Sequence, residues 1–298
     1  MRKKTILLPL LSISSILSFL PFAASGATVG YWRFENSSNV GEDSSGNGFD
    51  MTNNTAPADV DVISNASFTD FPNPVPQTGA PNAQTGNFDS PATSYLSIGD
   101  QAEFGFQNFT IESYVRLNSS SGSTTPSIIA GQFDSSDAAW QFGTTGGGSG
   151  LGANRLFLQI SQGASASFTK TLVSSGDDFL LEIGKDYYVA ASVNYSNPGG
   201  VEATFYIQNL TDNETIAMST DSDTYTSLYN SSTDFTIGAS YSNGSPSRYF
   251  AGWIDEVRLS DTALSQSELL SIPEPNHYGL LGSIAVLFVI SLRRRKRS

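Results

Sequence analysis

Carboxylates are the side chains of this sequence best suited to chemistry, and the segment that matters most runs from Trp253 through Asp255 and Glu256 to Val257. Glycan cleavage with retention needs two carboxyl groups about 5–5.5 Å apart. On a β-strand, residues i and i+2 share a face. Asp255 and Glu256 are adjacent, so we expect them on opposite faces, and Trp253 and Val257 occupy the positions two residues from Asp255. The spacing therefore disfavours a catalytic pair.

Residues 27–271 lack the cysteine and histidine side chains that two other classes of chemistry require. The sequence contains no cysteine, and its single histidine, His277, lies close to the C-terminus. A Ser-His-Asp hydrolase needs a histidine base, and protein zinc sites are built mainly from cysteine and histidine. The hydrolase mechanism is therefore excluded for residues 27–271, and a zinc site there is disfavoured.

Charge is distributed unevenly along the chain, whose formal net charge is −13. Arg2, Lys3, Lys4 and the five basic residues at 293–297 account for eight of the 15 basic residues. Glu274 is the one acidic residue of 28 outside residues 27–271, so that region combines seven basic with 27 acidic residues, a net charge near −20. This sign argues against nucleic acid and anionic lipid as partners.

The N-terminus has the three parts of a signal peptide. Met1 is followed by three basic residues at positions 2–4, Ile6–Leu20 is apolar, and Ala23–Ala27 offers the small residues of a cleavage site. We predict a signal peptide at residues 1–26 and export of the body. A retained membrane helix is the alternative.

The C-terminus carries Pro273-Glu274-Pro275, the apolar segment Tyr278–Leu292 and the basic cluster 293–297, in that order. As a helix, the apolar segment would span about 22 Å, short of the about 30 Å hydrocarbon core. This order resembles the PEP-CTERM sorting signal of bacterial surface proteins. The resemblance implies that residues 272–298 are a sorting signal, with Pro273, Glu274 and Pro275 as its processing motif.

In that family a membrane transpeptidase, the exosortase, is thought to cut near the motif. The resemblance therefore implies an exosortase as partner, a precursor anchored in the inner membrane by its C-terminal helix, and a final place at the cell surface or in the extracellular matrix. A permanent tail anchor is the alternative.

Short alternating segments between the two ends are typical of β-strands. In Phe109–Leu117, apolar residues alternate with charged residues and tyrosine, which predicts a half-buried strand. The residue types at 197–200 predict a hairpin. The glycine-rich residues 146–150 predict the tip of another hairpin, and residues 54–85 predict a long irregular excursion. Ser265–Glu268 predicts a capping box that opens a short helix. Further predicted strands are Ser127–Phe133, Arg155–Ile160, Tyr187–Val193, Glu202–Gln208, Asp234–Ala239 and Ala251–Leu259.

Several segments resemble the LamG-like (concanavalin A-like lectin/glucanase) jelly roll of the bacterial laminin-G type. The resemblance covers residues 29–270 and implies an all-β, antiparallel two-sheet jelly-roll sandwich, with the domain at residues 27–271. It also implies that the first and last strands are neighbours. The segments that carry it are Val29–Glu35, Asp43–Gly48, Phe88-Asp89 with Tyr95–Ile98 as a strand pair, Gly252–Leu259 and Ala263-Leu264-Ser265.

Many domains of this type bind a structural calcium ion, so the resemblance implies calcium as a cofactor. Calcium takes about six to eight oxygen ligands, and Asp43 and Asn47 in the first loop, with Asp255 on the last strand, are the candidate metal ligands. The alternative is that Asp43 and Asn47 shape a turn while Asp255 accepts hydrogen bonds from buried backbone.

Three functions remain open at this stage. The first is a non-catalytic structural or adhesive component of the bacterial surface or matrix. The second is a calcium-dependent carbohydrate-binding module for extracellular polysaccharide, with sugar stacked on aromatic rings. The third and weakest is a glycoside hydrolase. Candidate aromatic residues are Trp140, Tyr225, Tyr229, Tyr241 and Tyr249, with coverage of core edges as the alternative.

Overall fold

The structure, a computed structural model, describes residues 26–54, 60–65, 69–89, 93–119, 125–196 and 198–273. Except for Gly26, the predicted signal peptide lies outside these residues, as do Glu274, Pro275 and the remainder of the predicted sorting signal. No helix in the described part has the length and apolar character needed to cross a membrane.

The described residues form seventeen strands. In chain order they are β1 Thr28–Trp32, β2 Thr52–Asn54, β3 Asp61–Ser64, β4 Gln84–Asn87, β5 Tyr95–Ile98, β6 Phe109–Leu117, β7 Ser127–Asp134, β8 Asp137–Thr144, β9 Leu156–Ser161, β10 Thr169–Val173, β11 Asp186–Asn194, β12 Val201–Asn209, β13 Ala217–Asp223, β14 Phe235–Ile237, β15 Ser240–Ser242, β16 Ser245–Ser247 and β17 Gly252–Ser260.

Two antiparallel sheets make up the sandwich. Sheet A has the order β13-β12-β11-β6-β17-β4-β3, and β1 also pairs with β17. Sheet B has the order β10-β9-β8-β7-β14-β5-β2, and β15 pairs with β16 in a separate hairpin. The predicted jelly-roll sandwich is confirmed, as is the pairing of the first and last strands, in which Gly30 lies opposite Leu259.

The core fills the space between the two sheets. Alternate residues of β6, such as Phe109 and Ile111, face Trp140 and Phe142 of β8, and the rings of Phe109 and Trp140 have centroids 4.7 Å apart. Trp140 is only 1 % exposed. Its role as a sugar-stacking residue was a wrong prediction, because inward-facing positions of β8 belong to the core.

The outer face of sheet A is buried as well. Two covering segments, residues 69–83 and 261–272, lie across it and are joined by a hydrogen bond from the Gln77 N–H to the Leu270 carbonyl at 3.0 Å. Phe71 packs on Tyr114 with ring centroids 5.7 Å apart, and Glu112 and Tyr114 have no exposed surface. The prediction of a half-buried β6 is therefore wrong, since distant parts of the chain cover its polar face.

Most local predictions are confirmed. Each predicted strand overlaps an observed one. Residues 198–200 of the predicted hairpin lie between the paired strands β11 and β12, and Asn197 lies outside the described residues. The capping box is present, with the Ser265 N–H donating to Glu268 at 2.9 Å, although it opens only a single 3₁₀ turn. Two predictions were wrong. The 54–85 excursion contains β3 and the start of β4, and Phe88-Asp89 and Tyr95–Ile98 do not form a strand pair, because β4 and β5 belong to different sheets.

Candidate functional site

Glu112 lies on the outer face of sheet A beneath the second covering segment. Its carboxylate accepts hydrogen bonds from Arg258 Nε at 2.7 Å, the Tyr188 hydroxyl at 2.5 Å and the Leu270 N–H at 2.8 Å. Arg258 also donates to the Glu268 carbonyl at 2.7 Å. Burial, and then the Glu112 charge, raise the pKa of Tyr188 well above its ordinary value. This carboxylate therefore anchors the C-terminal covering segment to the sheet.

Asp255 and Glu256 lie together on the same outer face. The register of β17 shifts between Asp255 and Arg258, and Glu256 has a φ of +50°. A bulge of this kind breaks the strict alternation of side chains. Asp255 accepts a hydrogen bond from the Asn65 amide at 3.2 Å, and Glu256 accepts one from Arg33 Nε at 3.1 Å. The prediction of opposite faces is wrong because the bulge intervenes.

Both of these carboxyl groups are fully buried. Burial, followed by the charge of Glu256, raises the pKa of Asp255 well above its ordinary value. Burial also raises the pKa of Glu256, although hydrogen bonds from Arg33 and Tyr31 oppose the shift. The pair thus lies under the covering segments, bonded to protein groups, and belongs to the same buried polar layer as Glu112.

Asp43 organises the loop that follows β1. Its Oδ1 accepts hydrogen bonds from the Tyr31 N–H at 3.0 Å and the Ser45 N–H at 2.9 Å. Its Oδ2 accepts from Ser45 Oγ at 2.7 Å and the Phe49 N–H at 3.0 Å. Burial acts to raise the pKa of Asp43, but these hydrogen bonds outweigh it and hold that pKa below its ordinary value. The contacts suit a residue that shapes a turn.

The predicted calcium ligands do not share their surroundings. Asn47 is exposed, and its amide donates to the Thr28 and Val29 carbonyls at 2.9 Å each. Asp43 and Asp255 contact different residues, and the described part of the chain contains no group of three or more His, Cys, Asp or Glu side chains placed to hold a metal ion. Both oxygens of Asp43 already face protein donors, which does not fit a calcium ligand. The calcium site stays a prediction from the sequence.

A groove of about 280 Å³ lies on the outer face of sheet B. We call it the sheet B groove and define it by Gln141, Leu151, Phe157, Gln159, Thr171 and Arg248. Its floor is a cross-strand row in which Gln141 lies opposite Gln159, and Gln159 opposite Thr171. Because side chains alternate along a strand, these residues point away from the core that Trp140 and Phe142 occupy.

One wall of the groove is the glycine-rich loop between β8 and β9, the predicted hairpin tip. Leu151 in this loop is 43 % exposed. Arg155 Nε donates to the Leu151 carbonyl at 2.9 Å, and Thr145 Oγ1 donates to the Gly152 carbonyl at 2.6 Å. Phe157, beside Gln159 in the floor, is 4 % exposed. The groove thus combines a fixed apolar wall with a polar floor.

A directed chain of hydrogen bonds starts at Gln141. Its Nε2 donates to Gln159 Oε1 at 2.5 Å, and Gln159 Nε2 donates to Thr169 Oγ1 at 3.1 Å. Gln141 is 1 % exposed, and among the described residues its Oε1 has no hydrogen-bond partner. A buried acceptor left unpaired costs about 1–3 kcal/mol. The floor therefore offers an acceptor that a hydroxyl donor could satisfy.

Arg248 forms the opposite wall, directly after β16. Its φ is +55°, which is uncommon for a residue other than glycine, and its carbonyl accepts a hydrogen bond from the Ile128 N–H at 3.0 Å. The guanidinium carbon lies 5.2 Å from the centre of the Phe133 ring. Burial lowers the pKa of Arg248. The side chain is thus held along the outer face of sheet B by its backbone and by an aromatic ring.

Partly exposed tyrosines form a second surface feature near the β15–β16 hairpin. The Tyr95 ring lies 6.1 Å from that of Tyr241 and 6.2 Å from that of Tyr249. Tyr225 contacts Lys170, whose amine lies 5.8 Å from the ring centre. Tyr225, Tyr229, Tyr241 and Tyr249 stay predicted sugar-stacking residues, now with Tyr241 and Tyr249 in one cluster.

Sequence reasoning did not single out Gln141, Gln159 or Arg248. The signal for the two glutamines was present, because each is a polar residue within an alternating apolar segment and so faces outward. Their alignment depends on the register of β8 against β9. No local pattern marks Arg248, which a separate hairpin brings to the groove.

A comparison with protein families gives a match over much of the chain. The Laminin_G_3 model, described as the concanavalin A-like lectin/glucanases superfamily, matches residues 89–270. This is more than half of the chain, and the chain belongs to this family. No curated protein matches it.

Among solved structures, the chain is similar to Ruminococcus gnavus IT-sialidase CBM40 bound to α2,3-sialyllactose, with 14 % identity, a TM-score of 0.40 and coverage of 58 % of this chain and 85 % of that chain. It is similar to the botulinum neurotoxin serotype D binding domain, with 11 % identity, a TM-score of 0.46 and coverage of 81 % of this chain and 50 % of that chain. It is also similar to Trypanosoma rangeli sialidase in complex with sialic acid, with 17 % identity, a TM-score of 0.43 and coverage of 81 % of this chain and 32 % of that chain. The chain spans about half the length of the neurotoxin domain.

Proposed function

We propose that this protein is a non-catalytic carbohydrate-binding component of the bacterial cell surface or extracellular matrix, and that the sheet B groove holds the saccharide. The observation that carries the proposal is the buried Oε1 of Gln141, an acceptor without a partner in the described structure, at the floor of an open groove. Membership of a family described by its lectins and glucanases supports the same ligand class.

The groups around the groove match the chemistry of a sugar. A saccharide presents hydroxyl groups that donate and accept, and Gln141 Oε1 accepts while the Thr171 hydroxyl does either. The less polar C–H face of a sugar ring packs on aromatic and aliphatic side chains, here Phe157 and Leu151. Amides, hydroxyls and apolar walls orient a ligand, which is the task of a binding domain.

The place of action rests on the two ends of the sequence. The basic, apolar and small-residue order at residues 1–26 supports export, and Pro273-Glu274-Pro275 with the segment behind it supports sorting by an exosortase. Before processing, the C-terminal segment would hold the protein at the membrane. In this proposal the mature partner is an extracellular polysaccharide, and the net charge near −20 of residues 27–271 disfavours nucleic acid.

The test is affinity electrophoresis of the purified protein through gels that contain neutral or acidic polysaccharides. Gln141→Met keeps the volume of the side chain and removes its polar end, so we expect at least one retarding polysaccharide to lose about tenfold in affinity. Gln266→Met makes the same change at an exposed residue of the second covering segment, on the side of sheet A away from the groove, and we expect it to migrate as the unmodified protein does.

Three outcomes would contradict the proposal. Failure of every polysaccharide to retard the protein would remove the ligand class. Equal retardation of Gln141→Met and the unmodified protein would move the binding site elsewhere, to the Tyr95, Tyr241 and Tyr249 cluster first. Release of reducing sugar from a bound polysaccharide would revive the hydrolase alternative.

A further inference from the structure

Arg248 differs from the other basic residues of the body in its partners. Among the described residues it has neither an ion pair nor a side-chain hydrogen bond, and its Nη1 is buried without a partner. Arg155 donates to three backbone carbonyls. The remaining basic residues pair with carboxylates: Arg33 with Glu256, Arg116 with Asp186, Lys170 with Asp223, Lys185 with Glu182 and Asp212, and Arg258 with Glu112.

An unpaired guanidinium is unexpected in this chain. Residues 27–271 hold 27 acidic side chains for seven basic ones, so a carboxylate partner is abundant. Withdrawing a cation from water without a counter-charge is unfavourable, and burial alone accounts for the lowered pKa of Arg248. The backbone φ of +55° adds conformational strain, of the kind that collects at binding sites. An external anion would offset these costs.

We propose that Arg248 makes the sheet B groove selective for an anionic saccharide, one that carries a carboxylate or a sulfate ester on its ring. This inference rests on the proposed function. The guanidinium binds the anionic oxygens through its planar array of donors. Gln141 Oε1, on the floor of the same groove, accepts a hydrogen bond from a ring hydroxyl.

The surroundings of Arg248 prepare it for this contact. Phe133 supports the guanidinium at 5.2 Å and leaves Nη1 uncommitted. The bond from the Ile128 N–H fixes the backbone, so the side chain projects from a held position. A short anionic saccharide then has one strong contact at the wall and weaker contacts along the floor.

Isothermal titration calorimetry of the full chain in a mild detergent, at about 0.15 M salt, tests the proposal. The probes are trigalacturonate for a carboxylate, sulfated maltotriose for a sulfate ester, and maltotriose as the neutral trisaccharide. The chain variants are Arg248→Gln, Arg248→Lys and the control Lys185→Gln, which changes the net charge equally at an exposed ion pair. Binding to the basic cluster 293–297 contributes equally to every variant and cancels in the comparison.

We expect one anionic probe to bind the unmodified protein and the Lys185→Gln control alike, and Arg248→Gln to weaken that binding by about 10- to 100-fold, the range for a charged hydrogen bond. Arg248→Lys keeps the positive charge but lacks the planar array of donors. We expect its affinity for the probe to lie between those of the unmodified protein and Arg248→Gln. Which anionic probe binds identifies carboxylate or sulfate. Matching melting temperatures for the variants show that the fold is retained.

Two results overturn the proposal in distinguishable ways. If maltotriose binds through Gln141 and neither anionic probe responds to Arg248→Gln, the groove is a neutral sugar site and the carbohydrate function stands without the anion. If no saccharide binds and the polysaccharide gels also show no retardation, the proposed function and this inference fall together.

Discussion

The Glu112–Arg258 pair gives the most demanding test of how sheet A is held together. Arg258→Met keeps the length and apolar stem of the side chain but removes the cation from a carboxylate with no exposed surface. Glu112 would retain only the Tyr188 hydroxyl and the Leu270 N–H as donors. The same change removes the donor to the Glu268 carbonyl, so the second covering segment also loses one of its hydrogen bonds to the sheet.

The expected magnitude follows from the burial of the pair. Removing one partner of a buried ion pair costs about 3–5 kcal/mol. For a domain of this size about 1 kcal/mol corresponds to about 2–4 °C in Tm, so the melting temperature should fall by about 6–20 °C.

Thermal and urea denaturation measure this loss. Glu112→Gln combined with Arg258→Met removes both charges and keeps an acceptor for Leu270, so we expect the double variant to recover much of the loss. Lys185→Met breaks an exposed ion pair and should change Tm little. A loss below about 1 kcal/mol for Arg258→Met, or strictly additive effects in the double variant, would refute the anchoring role.

Three further predictions follow from the other groups. Asp43→Ala removes an acceptor of four hydrogen bonds and should lower Tm equally with calcium and with chelator; a loss confined to calcium would instead establish the metal site expected from the sequence. Asp255→Asn should raise stability most at alkaline pH, because burial raises the folded-state pKa of Asp255 and its ionisation destabilises the fold as pH rises through that value; a gain independent of pH in chemical denaturation would contradict this. Replacing Pro273-Glu274-Pro275 with alanines should block maturation of the precursor on immunoblots, and normal processing would exclude the sorting signal.

Local patterns in the sequence were sufficient for seven of the strands, β6, β7, β9, β11, β12, β14 and β17. Period-two alternation predicted Phe109–Leu117 with the observed bounds, and the Ser265–Glu268 capping box was found where its residue types placed it. These features depend on neighbouring residues only. They indicate these strands, and the family resemblance supplied the pairing of the first strand with the last.

Features that depend on distant segments escaped prediction. Burial of Glu112 requires Leu270 to return across sheet A, and the common face of Asp255 and Glu256 requires a bulge in β17. The sheet B groove needs the register of β8 and β9 together with a hairpin that delivers Arg248. In each case residues far apart in the sequence determine the chemistry, so alternation within one segment could not reveal it.

The pairing of β1 with β17 also limits when sheet A can be completed. Gly30 finds its partner Leu259 only after nearly the whole domain has been synthesised, and chains are made at about 5–20 residues per second. Contacts between such remote segments slow folding, because the intervening chain must close into a loop first. Sheet A therefore has an open edge until the last strand arrives. A chain that enters a translocation channel from its N-terminus would still be unfolded, in the state that a narrow channel can accept.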